Sequence, residues 1–328
     1  MTTLVTGASG FVGAAVARKL IERGERVRVL VRPTSDRRNL EGLAVEPVEG
    51  DLRDRASLAQ ALKGATALYH VAADYRLWTR NPDELYASNV EGSKAIIEAA
   101  AEAGVKRTVY TSSVAVLGIN KDETPSNEET PVSVEDMIGH YKRSKYLAEE
   151  AVRALVVEHD LDVVIVNPST PIGPRDVKPT PTGRMVLDAA RGKLPAFVDT
   201  GLNVVHVDDV AEGHLLAYEK GSKGERYILG GHDMSLQAIL TEVARLAGRK
   251  PPRVKLPHGA VMPVAAVSEL WASLFGGEPL ATRDGIKMAR KKMYFSSEKA
   301  KTALGYAPRP AEEALKDAVA WFREAGYL

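Results

Sequence analysis

A short apolar, β-branched run at 2–6 is followed by further strand-like segments at 26–31, 45–49, 67–71 and 107–111, and the stretches between them carry apolar residues at helical spacing. Residues 14–23, closed by Gly24, and residues 83–103 read as helices, and a further helix contains 138–150. A sixth strand is expected over 161–167. Strands alternating with helices build a parallel sheet covered on both faces, so the pattern predicts an α/β protein with a doubly wound, Rossmann-type sheet.

The pattern changes after Asn167. Pro168, Pro171, Pro174, Pro179 and Pro181 fall within 14 residues and predict a structured loop over the ligand-binding edge. Residues 204–210 return to a strand followed by an acidic helix start, where Asp208 or Asp209 reads as a cap. The expected organisation is a nucleotide domain over 1–167, rejoined at about 203–220, with 168–202 and 221–328 forming a smaller C-terminal α+β substrate lobe. Residues 226–229 and 235–247 are assigned to that lobe. Residues 258–275 are nearly all apolar and lie shortly upstream of Arg290-Lys291-Lys292. Two readings remain for them, a docking surface for a lipid-linked substrate and buried packing within the lobe, and the second is the expectation.

Composition narrows the function classes. With 328 residues, 45% hydrophobic and 27% charged, the chain suits a soluble globular protein with a full-sized core. Its 44 basic and 43 acidic residues give a net charge of +1, which suggests no nucleic-acid partner. The absence of Cys excludes disulfides, thiolate metal sites and cysteine nucleophiles, and fits a cytoplasmic location. The seven His show no metal-ligand spacing, so no metal is predicted. The N-terminus has no signal-peptide pattern, and no apolar run is long enough to span a bilayer.

Candidate chemistry gathers at the ends of the predicted strands. Gly7-Ala8-Ser9-Gly10-Phe11-Val12-Gly13 sits between strand one and a helix. There Gly7 suits a tight turn, Gly10 the approach of a pyrophosphate and Gly13 close helix–strand packing. Strand two ends at Arg32 instead of Asp or Glu, which suits the 2′-phosphate of NADP(H) over the ribose hydroxyl of NAD(H), or else Arg32 simply caps the strand into solvent. Asp51, beside Leu52, is placed to accept from an adenine amino group, and Asp54 to start a helix. Val71, Ala72 and Ala73 are small enough to let a flat cofactor pass, and Asn89 is an amide on an otherwise small, apolar helix face. Thr111, Ser112 and Ser113 close strand five, where open α/β sheets bind ligands. Tyr141 and Lys145, four apart, share one helix face, and a neighbouring ammonium lowers a phenol's pKa.

Taken in order, the glycine turn, the serines and the Tyr-Lys helix resemble the extended short-chain dehydrogenase/reductase family. Asn167-Pro168-Ser169, His206-Val207-Asp208-Asp209-Val210 and Leu304-Gly305-Tyr306-Ala307-Pro308 resemble its recurring stretches. More narrowly, residues 71–78, 139–145 and 167–174 look like the bacterial hopanoid-associated sugar epimerases, a group similar to dihydroflavonol reductases. The resemblance implies that Ser113 polarises a substrate oxygen, that Tyr141 exchanges a proton with it, and that Lys145 binds the nicotinamide ribose and lowers the tyrosine's pKa. It implies a dinucleotide held by Gly7, Ser9, Gly10, Phe11, Val12, Gly13, Arg32, Asp51, Leu52, Val71, Ala72, Ala73, Asn89, Thr111, Ser112, Tyr141, Lys145, Pro168 and Ser169. NADP(H) is preferred over NAD(H); the resemblance implies a sugar- or polyol-like substrate, in the narrower group one attached to a hopanoid lipid, and a homodimer through the Asp83 and Tyr141 helices. Two departures matter. Val114-Ala115 replaces the Asp-Glu pair of the family's dehydratases, and Arg32 replaces the acidic residue common in its NAD-holding epimerases. The expected activity is hydride transfer at a carbonyl or secondary alcohol, with a sugar epimerase as the enzymatic rival and a non-catalytic NADP sensor as the rival of another class.

Overall fold

The computed structural model describes residues 2–277, 279 and 281–328; the side chain of Phe275, the end of the apolar run, lies outside the described residues. The nucleotide half runs β1 (Thr2–Thr6), α1 (Phe11–Glu22), β2 (Arg26–Val31), β3 (Val45–Glu49), α2 (Arg55–Leu62), β4 (Ala67–His70), α3 (Pro82–Tyr86), α4 (Gly92–Glu102), β5 (Arg107–Thr111), α5 (Gly139–His159) and β6 (Val163–Pro168). The remainder runs β7 (Thr170–Ile172), α6 (Pro181–Ala190), β8 (Ala196–Val198), β9 (Gly201–His206), α7 (Val207–Lys220), β10 (Arg226–Leu229), β11 (His232–Ser235), α8 (Leu236–Leu246), β12 (Val254–Leu256), α9 (His258–Phe275), α10 (Arg283–Met288), α11 (Glu298–Leu304) and α12 (Ala311–Glu324).

Seven strands form one parallel sheet in the order β10-β6-β5-β4-β1-β2-β3. β4 and β6 are buried along their whole length, as near-continuous apolar strands covered on both faces must be. On one face α1 and α7 close a core around Val5, Val29, Val109 and Val166; on the other, α2, α4 and α5 close a second around Leu4, Leu68, Tyr110 and Ile165. A third core joins α6, α8 and α12 over the three-stranded sheet β11-β9-β7. The chain reverses its direction of sheet growth between β1 and β4, so the carboxyl ends of these strands open a crevice.

Several expectations shift. Residues 226–229, assigned to the smaller lobe, are β10 and pair with β6 at the edge of the main sheet. The strand expected to rejoin the nucleotide half, β9, instead pairs with β7 and β11, and it is the following helix α7 that returns, packing on α1. The cap of α7 is the His206 side chain, which accepts from the Asp208 amide at 3.0 Å; Asp208 and Asp209 occupy the first turn and pair with Arg175 and Arg309. The proline-rich stretch includes a strand, β7, and the start of α6. The helix expected over 83–103 is α3 and α4 joined by a π-helical turn at Ala87–Glu91. Asp54 does cap α2, accepting from the Ala56 amide. The apolar run became α9, and it is largely exposed instead of buried: Ala265 and Ala272 face inward, whereas Val267, Leu270 and Leu274 face solvent.

Candidate active site

The turn after β1 is closed by the Gly10 amide donating to Gly7 O at 2.9 Å. Gly7 has φ +73, and a Cβ there would stand 2.6 Å from the Ala72 amide nitrogen, so only glycine lets the β4 edge lie against the turn. At Gly13 a Cβ would fall 2.2 Å from Gly7 O, which fixes the close packing of α1. Gly10 differs: its Cβ would meet only Gly7 O, at 3.2 Å, so the protein leaves the space before it open. No side chain caps α1 at Gly10, and its first amides point into that opening, a suitable seat for a phosphate. Ser9 is tied in through its carbonyl, which accepts from Asn39 Nδ2, while Phe11, Val12 and Val71 pack against the core below.

At the ends of β2 and β3, Arg32, Thr34, Gly50 and Asp51 line a cleft of about 430 Å³. Arg37 pairs with Glu49 and Arg38 with Asp36, but Arg32 has no ion-pair partner among the described residues. Asp51 is held by Arg53, whose backbone amide and guanidinium both donate to it, and these bonds keep its carboxyl below the usual range. Leu52 packs against Gly92.

The chemical centre lies at the ends of β5 and β6. Ser113 is extended and its Oγ accepts from the Ala115 amide at 3.1 Å. Its side chain neighbours that of Tyr141. Burial pushes Tyr141 above its ordinary pKa, the Ser113 side chain opposes this, and the charge of Asp74 adds to it. Lys145 is buried on the same face of α5 and donates to Thr111 O at 3.0 Å. Burial brings its ammonium down to about 8, against the pull of Glu149. The spacing of Tyr141 and Lys145 therefore does not produce the depressed phenol expected of it: Lys145 spends its charge on the strand carbonyl, and the burial of Tyr141 outweighs its neighbours.

Asn89, on the π-helical turn, spends both amide protons within the protein, on Asp74 O at 2.9 Å and Ser144 Oγ at 3.0 Å, while its Oδ1 accepts from the Asp74 amide. It braces the loop after Ala73 against α5. Thr111 Oγ1 meets His214 Nε2 at 2.9 Å, and the Ser112 amide donates to Val166 O. Pro168 ends β6, and Ser169 follows with its amide on Leu229 O.

Sequence reasoning missed the network beneath Ser113. Glu149, 2% exposed, accepts from Asn167 Nδ2 at 2.9 Å and from Arg226, and Asn167 Nδ2 also donates to Ser113 O at 3.1 Å. Its place four residues beyond Lys145, on the same helix face, was the available signal. Thr6, His70 and Ser93 were missed too: His70 bridges Thr6 Oγ1 and Ser93 Oγ, and burial drives its pKa down to about 3, so the ring is neutral.

A model of the NAD dependent epimerase/dehydratase family matches residues 3–230. The chain belongs to that family. It is an enzyme of the extended short-chain dehydrogenase/reductase type, which comprises reductases, epimerases and dehydratases. A Synechocystis sp. protein provisionally named a dihydroflavonol 4-reductase is 45% identical over 99% of this chain and 95% of its own. Sterol demethylase protein B of Methylococcus capsulatus is 39% identical, with 100% of both chains covered. The crystal structure of gox2253 superposes with a TM-score of 0.90 at 57% identity, covering 100% of this chain and 99% of that one.

The residues present fit the dinucleotide that the family name implies. Ser112 Oγ, Asn167 Oδ1 and Ser169 Oγ are buried at the ends of β5 and β6 with no partner in the protein, and Asn39 Oδ1 is likewise unpartnered beside the glycine turn. Such groups mark the places where a polar ligand completes the hydrogen bonding. Among the described residues no group of His, Asp and Glu could hold a metal ion.

Proposed function

We propose that this family member is an NADP(H)-dependent reductase that converts a carbonyl to a secondary alcohol, with Ser113, Tyr141 and Lys145 as its catalytic residues. The observation that carries the reading is the gathering of Ser113 and Tyr141 beside a buried ammonium, Lys145 on Thr111 O, at the carboxyl edge of the sheet. The turn over Gly7–Gly13, Arg32, Asp51 and the unpartnered atoms of Ser112 and Ser169 would hold the dinucleotide, which supplies the hydride when bound. Ser113 donates to the substrate oxygen and polarises the carbonyl. Tyr141, kept protonated by its burial, delivers its proton to that oxygen as negative charge develops there. Lys145, anchored on Thr111 O, places its ammonium beneath the reacting end of the site. Buried Val114 and Ala115 offer no acid or base for eliminating water, so dehydration is disfavoured.

The preferred cofactor follows from Arg32, the cation without a carboxylate at the ribose end of the cleft, which suits a 2′-phosphate. The relatives named for a flavonol and a sterol support a polycyclic or polyol-bearing carbonyl substrate. The epimerase reading is kept by the family description and by solved sugar epimerases that share 25% identity with this chain. Stoichiometric loss of NADPH absorbance with a ketone substrate supports the reductase, and product formation without change in absorbance refutes it. Tyr141→Phe is expected to keep dinucleotide binding and to lose turnover by about 100- to 10,000-fold, the usual span for a positioned general acid. Undiminished turnover in that variant removes Tyr141 from the mechanism.

A further inference from the structure

The apolar helix α9 lies outside the site described above and has no role in it. Val264, Val267, Leu270, Trp271 and Leu274 recur every three or four residues along one face, and each is 52% to 67% exposed. A contiguous apolar stripe of this kind is rare on a soluble surface and marks an interaction face. Glu269 is the one acidic residue of the helix, and it pairs with Arg283.

The surroundings decide what the stripe meets. Residues 249–292 hold nine Lys and Arg against three Asp and Glu, a net +6, so the other 284 residues carry −5 of the chain's net +1. Arg253, Arg290 and Lys291 are exposed, and among the described residues no carboxylate pairs with them. They flank the start of α9: Arg253 precedes β12, which leads into the helix, and His258 Nε2 meets Ala289 O at 3.0 Å, beside Arg290. An apolar stripe with unpaired cations at its start matches an anionic bilayer surface, apolar face toward the acyl chains and cations toward the headgroups. A second copy is the poorer match, because a two-fold contact here would bring together two segments that each carry a net +6.

The stripe also adjoins the mouth of the site. A Cβ on Gly139, two residues before Tyr141, would lie 3.1 Å from Asp284 of α10, and Arg80, on the loop that continues from Ala73, donates to Ala272 O and Ser273 O of α9. Among the described residues no helix is long and apolar enough to cross a membrane. We propose that α9 lies in the surface of an anionic phospholipid bilayer and presents the site to carbonyl substrates dissolved in it. The purpose rests on the proposed reduction; the docking does not, because vesicle binding is measured without turnover.

The test is co-sedimentation of the full chain with phosphatidylcholine vesicles, with and without phosphatidylglycerol. Sedimentation with the anionic vesicles is expected, weakened by salt and by omission of phosphatidylglycerol. Val267→Glu/Leu274→Glu should stay in the supernatant, and Arg290→Glu/Lys291→Glu should bind roughly tenfold or more weakly. Both pairs lie outside the candidate active site. A wild-type protein that ignores both vesicles, or a Val267→Glu/Leu274→Glu variant that sediments equally, overturns the proposal. So does self-association in sedimentation velocity that this variant abolishes without any vesicle binding, since the stripe would then join two copies of the chain.

Discussion

Helices α5 and α9 invert the usual placement of side chains in opposite directions. α5 buries Lys142, Lys145 and Glu149, charged groups that normally stay in water, while α9 exposes Val264, Val267, Leu270 and Leu274, which normally leave it. The cost of the first inversion is met locally: Lys145 donates to Thr111 O, and Glu149 accepts from Asn167 and Arg226. On α9, Val264, Val267, Leu270 and Leu274 stay more than half exposed. Charges held inside a sheet edge do work within the chain, whereas apolar groups held outside are matched to something beyond it.

The buried side of the comparison breaks most visibly at Arg226. Its guanidinium partners a carboxylate that is 2% exposed, and Arg226→Ala leaves Glu149 with Asn167 alone. Loss of one partner of a buried pair costs about 3 kcal/mol, so a clear fall in the denaturant midpoint is expected, and loosened anchoring of Ser113 should lower turnover in the fraction that folds. An unchanged midpoint would mean that the Arg226 contact contributes nothing to holding α5 in place.

Lys145 sharpens the same point through pH. Burial holds its pKa near about 8, below the ordinary lysine value, so the ammonium is present below that pH and lost above it. Tyr141 moves the other way and stays protonated through this range. Turnover in the reductive direction should therefore fall about tenfold per pH unit above about 8, and Lys145→Arg, if active, should lose that limb because guanidinium does not titrate there. A profile that stays flat across this range would show that the buried charge is not needed. The folded state binds this proton less well than the unfolded chain, so Lys145 contributes stability that grows as pH rises from about 8 toward the unfolded value.

Arg32 is the intermediate case, an exposed cation whose neighbours Arg37 and Arg38 are neutralised while it is not. Arg32→Ser is expected to weaken NADPH binding by about tenfold or more, and NADH binding far less, in a fluorescence titration. Equal losses for both would place Arg32 outside the 2′-phosphate site. Like the aliphatic residues of α9, it is exposed.

Much of this was readable before the fold was known, and the exceptions share a cause. β1 to β5 follow from short strand-like segments, and the glycine turn from spacing, because both are decided within a few residues. α1 starts at Phe11, earlier than its apolar spacing suggests, because the glycines themselves open it. β9 and β10 went to the wrong sheets because an apolar run says that it is buried and not which neighbour it pairs with. The network from Glu149 to Arg226 spans 77 residues and appears only once β10 lies beside β6. α9 misled for a related reason: its composition is that of a core helix, and exposure depends on how little of the lobe packs over it.

The smallest expected effect is the most pointed test of the two helices. Val267 is 66% exposed, so Val267→Glu should change thermal stability by no more than about 0.5 kcal/mol, as surface substitutions do. The same change at Ala148 of α5, which is fully buried, forces a carboxylate into the packed interior and should cost several kcal/mol, on the order of a buried unpaired charge. The pair is measured by thermal melts of the dilute protein without lipid. If Val267→Glu proves as damaging as Ala148→Glu, the stripe is covered in solution by packing within or between chains, and the inversion at α9 disappears. If it is silent in the melt yet releases the protein from anionic vesicles, the valine contributes nothing to the fold, and its apolar side chain at that position is explained by the surface it meets.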